Sequence, residues 1–140
     1  MIEKLDINSK YIDDLDTYSE FFDKERVIKD IKNNPFTNYY IFRDSNGALA
    51  FINYQIMYER SELIDINVIE KYRNQGIGSK LLKFMFEDLK SKGVKEVTLE
   101  VNVLNNNAIH LYKKYGFKEV SIRKGYYQGI DGILMKKELV

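Results

Sequence analysis

The segment Arg73-Asn74-Gln75-Gly76-Ile77-Gly78 has the composition of a site for a phosphate-bearing ligand. Its two glycines lack the Cβ atoms that would keep a bulky phosphate away, and Arg73 supplies a permanent positive charge. An apolar, β-branched run typical of a strand precedes it, and apolar residues at three-to-four-residue spacing, typical of an amphipathic helix, follow it. Because a helix N-terminus carries unpaired N–H groups and the positive end of the helix dipole, the segment predicts an anion site.

Several phosphate-binding turns fit this segment in part. A dinucleotide-binding turn requires a third glycine where Leu81 stands, although Glu96 and Glu100 lie at about the distance of a ribose-binding acid. A nucleotide P-loop requires Gly-Lys followed by Ser or Thr, whereas the chain has Gly78-Ser79-Lys80. A plain tight turn is the remaining alternative, and the position between a strand and a helix disfavours it. These residues alone leave the ligand class open.

Glu100 is the best candidate for a general base. Leu99 and Val101 point to one face of the predicted strand, so Glu100 points to the other face with Thr98 and Asn102. An acid within an otherwise apolar strand costs stability unless it is solvated or paired. The alternative to a catalytic role is a carboxylate at the wet edge of the sheet or in a pair with a lysine.

A more specific series follows Glu100. Residues 105–117 contain Asn-x-x-Ala-x-x-Leu-Tyr-x-x-x-Gly-Phe. Together with Arg-x-x-Gly-x-Gly at the start of a helix, this series resembles the GNAT superfamily of N-acetyltransferases. The tail Arg123-Lys124-Gly125-Tyr126-Tyr127 is similar to the branch that acetylates protein N-termini, typified by the ribosomal-protein-alanine N-acetyltransferase. The specific match covers Leu63 to about Leu139.

The resemblance implies acetyl-CoA as the co-substrate, without a metal. The turn residues implied to bind its pyrophosphate are Arg73, Asn74, Gln75, Gly76, Ile77, Gly78 and Ser79. The backbone at Ile66 and Val68 is implied to pair with the pantetheine amides and to polarise the thioester carbonyl. Asn105 is expected to cap its helix, and the resemblance adds a contact with the pantetheine or pyrophosphate arm.

The resemblance also assigns the proton transfers. Glu100 is implied to be the general base, acting through water, and Tyr112 the general acid. A phenol with a pKa near 10 is protonated at neutral pH and can donate to a departing thiolate. From the residue alone a packing role for Tyr112 would be at least as plausible. Tyr115, three residues later, is expected to pack only, and His110 to lie at the surface.

The expected acceptor is a primary amine, by resemblance a protein or peptide N-terminus. The acceptor groove is predicted between the early helices and the final hairpin, with Tyr39, Tyr40, Tyr126, Tyr127 and Asp131. Asp131 suits either an ammonium-binding role or a hairpin turn.

Two alternatives to the acetylation of a protein N-terminus remain open. The segment between Tyr127 and Met135 is shorter than in the alanine acetyltransferases, and Gly132 stands where they carry alanine. Small amines, amino acids and lysine side chains therefore remain possible acceptors. A non-catalytic acyl-CoA-binding domain would keep the glycine turn but would need neither Glu100 nor Tyr112.

The hydrophobic pattern predicts the elements that position these residues. Strands are predicted at Ile2–Ile7, Tyr39–Arg43, Ala48–Met57, Leu63–Val68, Glu96–Val101, Phe117–Tyr127 and Ile133–Leu139. The first helix is predicted to follow a cap at Ser9 or Asp13 and to carry Leu15, Tyr18, Phe21 and Phe22. Further helices are predicted at about Lys24–Lys32, at Gly76–Lys92 and at Asn106–Tyr115. This order predicts a single α+β domain over residues 1–140, with a mixed, mostly antiparallel twisted sheet and one central β-α-β unit. The resemblance implies that the fold is GNAT-like and that this unit binds acetyl-CoA.

Composition limits the remaining function classes. The 140 residues include 22 basic and 21 acidic side chains, so we expect no general attraction to nucleic acid or membranes. With no cysteine and one histidine, disulfide frameworks and thiolate metal sites are excluded. The start of the chain lacks an apolar stretch of signal-peptide length. We therefore expect a cytoplasmic protein. We also expect a monomer or a homodimer.

Overall fold

The computed structural model describes residues 1–19 and 22–139. Its strands form where apolar residues alternate, and its helices form where apolar residues recur every three or four positions. The strands are β1 (Ile2–Lys4), β2 (Thr37–Asp44), β3 (Gly47–Met57), β4 (Arg60–Val68), β5 (Glu96–Asn102), β6 (Lys118–Tyr127) and β7 (Ile130–Glu138). The helices are α1 (Tyr11–Tyr18), α2 (Lys24–Asn33), α3 (Ile77–Ser91) and α4 (Asn106–Lys114), with a 3₁₀ turn at Glu70–Tyr72.

The strands form one mixed sheet in the order β1-β2-β3-β4-β5-β7-β6. All neighbours are antiparallel except β4 and β5, which α3 connects as a β-α-β unit. The predicted mixed, mostly antiparallel sheet with one β-α-β unit is therefore confirmed.

Helices cover both faces of this sheet, because successive strand side chains point to opposite faces. The helices α1 and α2 bury a cluster that includes Leu15, Val27, Ile41 and Phe51. On the opposite face α3 and α4 bury a larger cluster, with Leu81, Met85, Leu99 and Met135 among its members. None of the described helices combines the length and apolarity needed to cross a membrane.

Local signals account for most element boundaries. Asp23 caps α2 by accepting the Arg26 N–H, and Gly93 ends α3 in the left-handed region, with φ 75°. The helix α1 begins after Lys10, whose side chain makes no cap, while the Ser9 hydroxyl accepts the Tyr11 N–H at 3.2 Å. Of the side chains predicted for this helix, Phe21 and the side chain of Tyr18 lie outside the described residues.

Four strands begin earlier than predicted, and the largest differences, of three residues each, are in β4 and β7. The strand β4 starts at Arg60 because its polar first residues already pair with β3, and the Ser61 hydroxyl donates to the Gln55 carbonyl at 2.6 Å. The strand β7 starts at Ile130 because the hairpin from β6 turns over two residues, Gln128 and Gly129, both with positive φ.

The sheet opens in the middle, between its two parallel strands. The β4–β5 ladder covers only Arg60–Glu62 against Glu96–Thr98. The pairing of β4 with β3 skips Ile64, two residues after Glu62, so Ile64 forms a β-bulge. Because a bulge bends its strand, β4 diverges from β5 beyond Leu63. This gap lies beside α3 and α4 and positions the candidate site.

Candidate active site

The turn before α3 presents free backbone N–H groups. Gly76 precedes the helix with φ 80° and ψ 9°, a left-handed conformation that glycine adopts without steric cost. No side chain caps the first turn, and that turn contains no acidic residue. Ile77 is buried and anchors the start of the helix to the core. The first turn of α3 is thus an uncapped helix N-terminus, where the backbone N–H groups and the helix dipole favour an anion.

Gly78 is not required by packing within the protein. A Cβ placed there would meet only Leu111 Cδ2, at 3.9 Å, and the backbone of Gly78 is not left-handed. Space is therefore open beside the first turn of α3. Arg73, at the entrance, is exposed and donates from Nε to the Val68 carbonyl at 2.8 Å. This bond links the turn to the end of β4.

The gap between β4 and β5 contains a cavity of about 400 Å³, which we call the strand-gap cavity. Its walls are residues 63–67 of β4, residues 99–102 of β5, the start of α4 and Tyr127 of β6. The predicted residues that it brings together are Ile66, Glu100, Asn105, Tyr112 and Tyr127. The sheet opening therefore collects both candidate acid–base residues around one space.

Glu100 is held at one oxygen and free at the other. Its Oε1 accepts from Arg123 Nε at 2.8 Å, and the Glu100 side chain is only 13% exposed. Its Oε2 is buried, and among the described residues it has no hydrogen-bond partner. A buried acceptor without a partner is costly, so a donor from water or from a ligand is required there.

Tyr112 is buried in the wall of the same cavity. Its ring packs edge-on against Phe117, with centroids 5.7 Å apart, and the residue is 9% exposed. Burial raises the pKa of the Tyr112 hydroxyl to about 12, with smaller contributions from the negative charge of Asp65 and from Tyr127. The hydroxyl therefore remains protonated over the physiological range and is able to donate.

The other predicted residues in and beside α4 lie where the sequence predicts them. Asn105 caps the helix, its Oδ1 accepting the Ala108 N–H at 3.2 Å. Tyr115 packs against the core beside Phe86, with ring centroids 6.4 Å apart. His110 is exposed.

A second cavity, of about 450 Å³, lies between α2 and the sheet. We call it the α2 cavity. Phe22, Val27 and Phe51 form part of its apolar lining, and Tyr39 lines it with the hydroxyl donating to Asp30 Oδ2 at 2.8 Å. Tyr40, the next residue, points to the opposite face, where its ring lies 4.7 Å from Phe84.

The final hairpin places the other predicted acceptor residues around Gly132. Tyr126 and Tyr127 meet edge to face, with centroids 4.9 Å apart. A Cβ on Gly132 would lie 3.1 Å from Tyr127 Cε2 and 3.3 Å from the Tyr126 side chain, so the glycine makes room for both rings. Asp131 lines neither cavity among the described residues. Its carboxylate accepts the Gly125 N–H at 3.0 Å and fixes the irregular part of β6.

Two residues of the site were not singled out from sequence. Arg123 belongs to a recognised tail segment, but its pairing with Glu100 crosses the sheet and leaves no local signal. Asp65 lines both the strand-gap cavity and the α2 cavity. It interrupts the apolar run Ile64-Asp65-Ile66 as Glu100 interrupts its own strand, so the reasoning applied to Glu100 would have found it.

Comparison with known proteins gives a consistent result. A sequence profile of the acetyltransferase (GNAT) family matches residues 6–117. A Bacillus subtilis protein named putative ribosomal protein bS18-alanine N-acetyltransferase is 27% identical over 132 residues, 93% of this chain and 87% of its own.

Two further similarities involve Escherichia coli. Its ribosomal protein bS18-alanine N-acetyltransferase is 39% identical over 88 residues, which are 62% of this chain and 60% of that enzyme's length. The crystal structure of the ribosomal-protein-S18-alanine N-acetyltransferase from Escherichia coli superposes with a TM-score of 0.84 at 26% identity. That superposition covers 99% of this chain and 93% of the other.

Proposed function

The chain belongs to the acetyltransferase (GNAT) family and is an N-acetyltransferase, and we propose that its acceptor is the α-amine of a protein or peptide. The names of the relatives support this acceptor, since those proteins are named for acetylating the alanine of a ribosomal protein. Acetyl-CoA, the co-substrate of the family, supplies an activated acetyl thioester. Small amines and lysine side chains are the alternative acceptors.

The residues around α3 fit the coenzyme. Its pyrophosphate would lie on the N–H groups of Ile77, Gly78 and Ser79, where a Cβ-free surface and an uncapped helix start are available. Arg73, Asn74 and Gln75 border that site, and Gly76 makes the turn. The backbone of Ile66 and Val68 would face the pantetheine arm beyond the point where β4 leaves β5. Asn105 would contact the same arm while capping α4.

Glu100 is the general base of this proposal, and its free oxygen is the observation that carries it. Oε2 is buried and lacks a protein donor within the described ranges, and it belongs to a residue of the strand-gap cavity. An acceptor N–H, or a water bonded to it, would satisfy that oxygen. Arg123 holds Oε1, so the carboxylate is oriented for proton transfer.

Tyr112 is the general acid. Tyr112 lines the strand-gap cavity, and a phenol is protonated at neutral pH even at its ordinary pKa near 10. Burial raises the pKa of Tyr112 to about 12, so the proton stays on the hydroxyl until the thiolate leaves and accepts it. Tyr39, Tyr126, Tyr127 and Asp131 would contact the acceptor or shape its groove, with Tyr127 nearest to the cavity.

A peptide with an N-terminal alanine and one internal lysine tests the proposal. Incubation with acetyl-CoA should release CoA, and mass spectrometry should locate the acetyl group on the α-amine. Free amino acids, polyamines and an N-terminally blocked copy of the peptide serve as comparison acceptors. Acetylation of the blocked peptide at lysine, or turnover of small amines alone, would replace the proposed acceptor. If none of these amines supports CoA release, the proposed acceptor is refuted.

A further inference from the structure

Asp65 is a partly buried carboxylate at the junction of the two cavities. It follows the Ile64 bulge and pairs with Asn53 of β3, so its side chain lies on the sheet face covered by α1 and α2. Glu100 points to that same face, because Leu99 and Val101 are buried on the other. Asp65 lines both the strand-gap cavity and the α2 cavity, which therefore adjoin at this residue.

The Asp65 carboxylate has little to neutralise it. Burial raises the pKa of Asp65, and two described groups oppose that effect: the Ile66 N–H, which donates a hydrogen bond, and the Arg26 guanidinium, which acts through its charge. Asp30 accepts from Asn34, Thr37 and Tyr39, and Glu100 Oε1 accepts from Arg123. Among the described residues no side chain donates a hydrogen bond to Asp65, so its carboxylate is open to a cation.

Asp65 also lies close to the place of proton transfer. Its negative charge is one of the causes that raise the pKa of Tyr112. Asp65 and Tyr112 both line the strand-gap cavity, so the carboxylate and the phenol belong to the walls of one space.

We infer that Asp65 is the residue that binds the acceptor as its ammonium ion, at the passage from the α2 cavity to the strand-gap cavity. This inference rests on the proposed function. A free α-amine has a pKa near 8 and arrives mostly protonated at neutral pH. Asp65 holds that ammonium by charge, no bond to Asp65 forms or breaks, and the ammonium proton passes to Glu100 Oε2. The rest of the acceptor extends into the α2 cavity.

Steady-state kinetics of Asp65→Asn test the inference, which predicts a change in KM without a comparable change in kcat. With the alanine peptide as acceptor, KM should rise by about tenfold or more, because one partner of a desolvated charge pair is removed. The kcat value and the affinity for acetyl-CoA should change by no more than a few-fold. Glu62→Gln, an exposed carboxylate on the same strand, is the matched control and should leave both parameters unchanged.

A binding measurement separates this inference from the proposed activity, since it requires no turnover. The probes are the same peptide with an N,N-dimethylated N-terminus, which stays cationic but cannot form an amide, and its des-amino analogue, which is neutral. Calorimetry in the presence of CoA should show preference for the cationic peptide by the parent protein and by Glu62→Gln, and loss of that preference in Asp65→Asn.

The contradicting outcomes are distinct. A fall in kcat at constant KM would make Asp65 a proton-transfer residue and overturn the inference. Unchanged kinetics, or a preference for the cationic peptide that persists in Asp65→Asn, would also overturn it. If no amine is acetylated by the parent while the charge preference still depends on Asp65, the proposed acceptor fails and the ammonium site stands.

Discussion

Arg123 Nε and Glu100 Oε1 lie 2.8 Å apart, joined across the intervening strand β7. The pair ties the outer strand of the final hairpin to the strand that carries the proposed base. Arg123 is 55% exposed and Glu100 is 13% exposed, so the ion pair joins a half-exposed guanidinium to a largely buried carboxylate. Its consequence is an asymmetric carboxylate, with Oε1 bound by Arg123 and Oε2 without a hydrogen-bond partner among the described residues.

Removal of the carboxylate should abolish most of the turnover. In Glu100→Gln we expect a fall of about a hundredfold to ten-thousandfold at neutral pH, the usual effect of losing a positioned base. Affinity for acetyl-CoA, measured by calorimetry, should remain nearly unchanged. Part of the deficit should be recovered at high pH, where the amine loses its proton unaided. Full activity of Glu100→Gln at neutral pH would refute the assignment.

A double-mutant cycle tests the ion pair. Arg123→Met leaves a buried carboxylate without its partner, so the free energy of unfolding should fall by about 1 kcal/mol, a modest value because Arg123 is half exposed. Adding Glu100→Gln to Arg123→Met should restore part of that loss, since the orphaned charge is then gone. Chemical denaturation of the four proteins measures the coupling. Strictly additive effects would mean that the contact contributes nothing to stability.

Tyr112 of α4 and Tyr115, which directly follows the helix, separate chemistry from packing. Tyr112→Phe should lower kcat by about a hundredfold or more, with little change in the KM for acetyl-CoA, because the proton is required only as the thiolate leaves. Tyr115→Phe removes the same atom from a packing residue and should stay within a few-fold of the parent. The reverse result would show that the wrong tyrosine has been assigned.

The raised pKa of Tyr112 also predicts a pH dependence of stability. Unfolded tyrosine ionises near pH 10, whereas folded Tyr112 ionises at about 12. The resulting stabilisation is complete below pH 10 and is lost as the pH rises toward 12. Between about pH 9 and pH 11 the parent should therefore lose about 1 kcal/mol more stability than Tyr112→Phe. Parallel denaturation curves over that range would contradict the buried, protonated phenol.

Gly78 tests the coenzyme site without disturbing the fold. Because its added Cβ meets only Leu111 Cδ2 at 3.9 Å, Gly78→Val should fold, while its side chain occupies the space beside the helix N-terminus. We expect acetyl-CoA binding to weaken by more than about tenfold, or 1.4 kcal/mol. Lys83→Val, on the exposed side of the same helix, is the control. Unchanged affinity in a folded Gly78→Val protein would place the coenzyme elsewhere.

The fold could be predicted largely from sequence because its signals are local. Alternation and helical spacing located the elements, and Asn105 marked the start of α4 through its own side chain. The glycine turn was also recognisable, since Gly76 must adopt a left-handed conformation.

The remainder of the site depends on contacts between distant segments. The divergence of β4 from β5 follows from a β-bulge that no residue type in the sequence predicts. The partner of Glu100 lies 23 residues further along the chain, two strands away in the sheet. Asp131 illustrates the same limit, because its hydrogen bond to the Gly125 N–H depends on an irregular pairing of β6 with β7.

A crystal structure with a bisubstrate conjugate, in which CoA is joined through an acetyl linker to the nitrogen of an alanine peptide, tests the account most directly. We predict the pyrophosphate on the first turn of α3 and the linker in the strand-gap cavity. The nitrogen should lie within hydrogen-bond reach of Glu100 Oε2, directly or through one water, with the peptide passing Asp65 into the α2 cavity. A linker outside the β4–β5 gap, or a nitrogen remote from Glu100, would contradict the account.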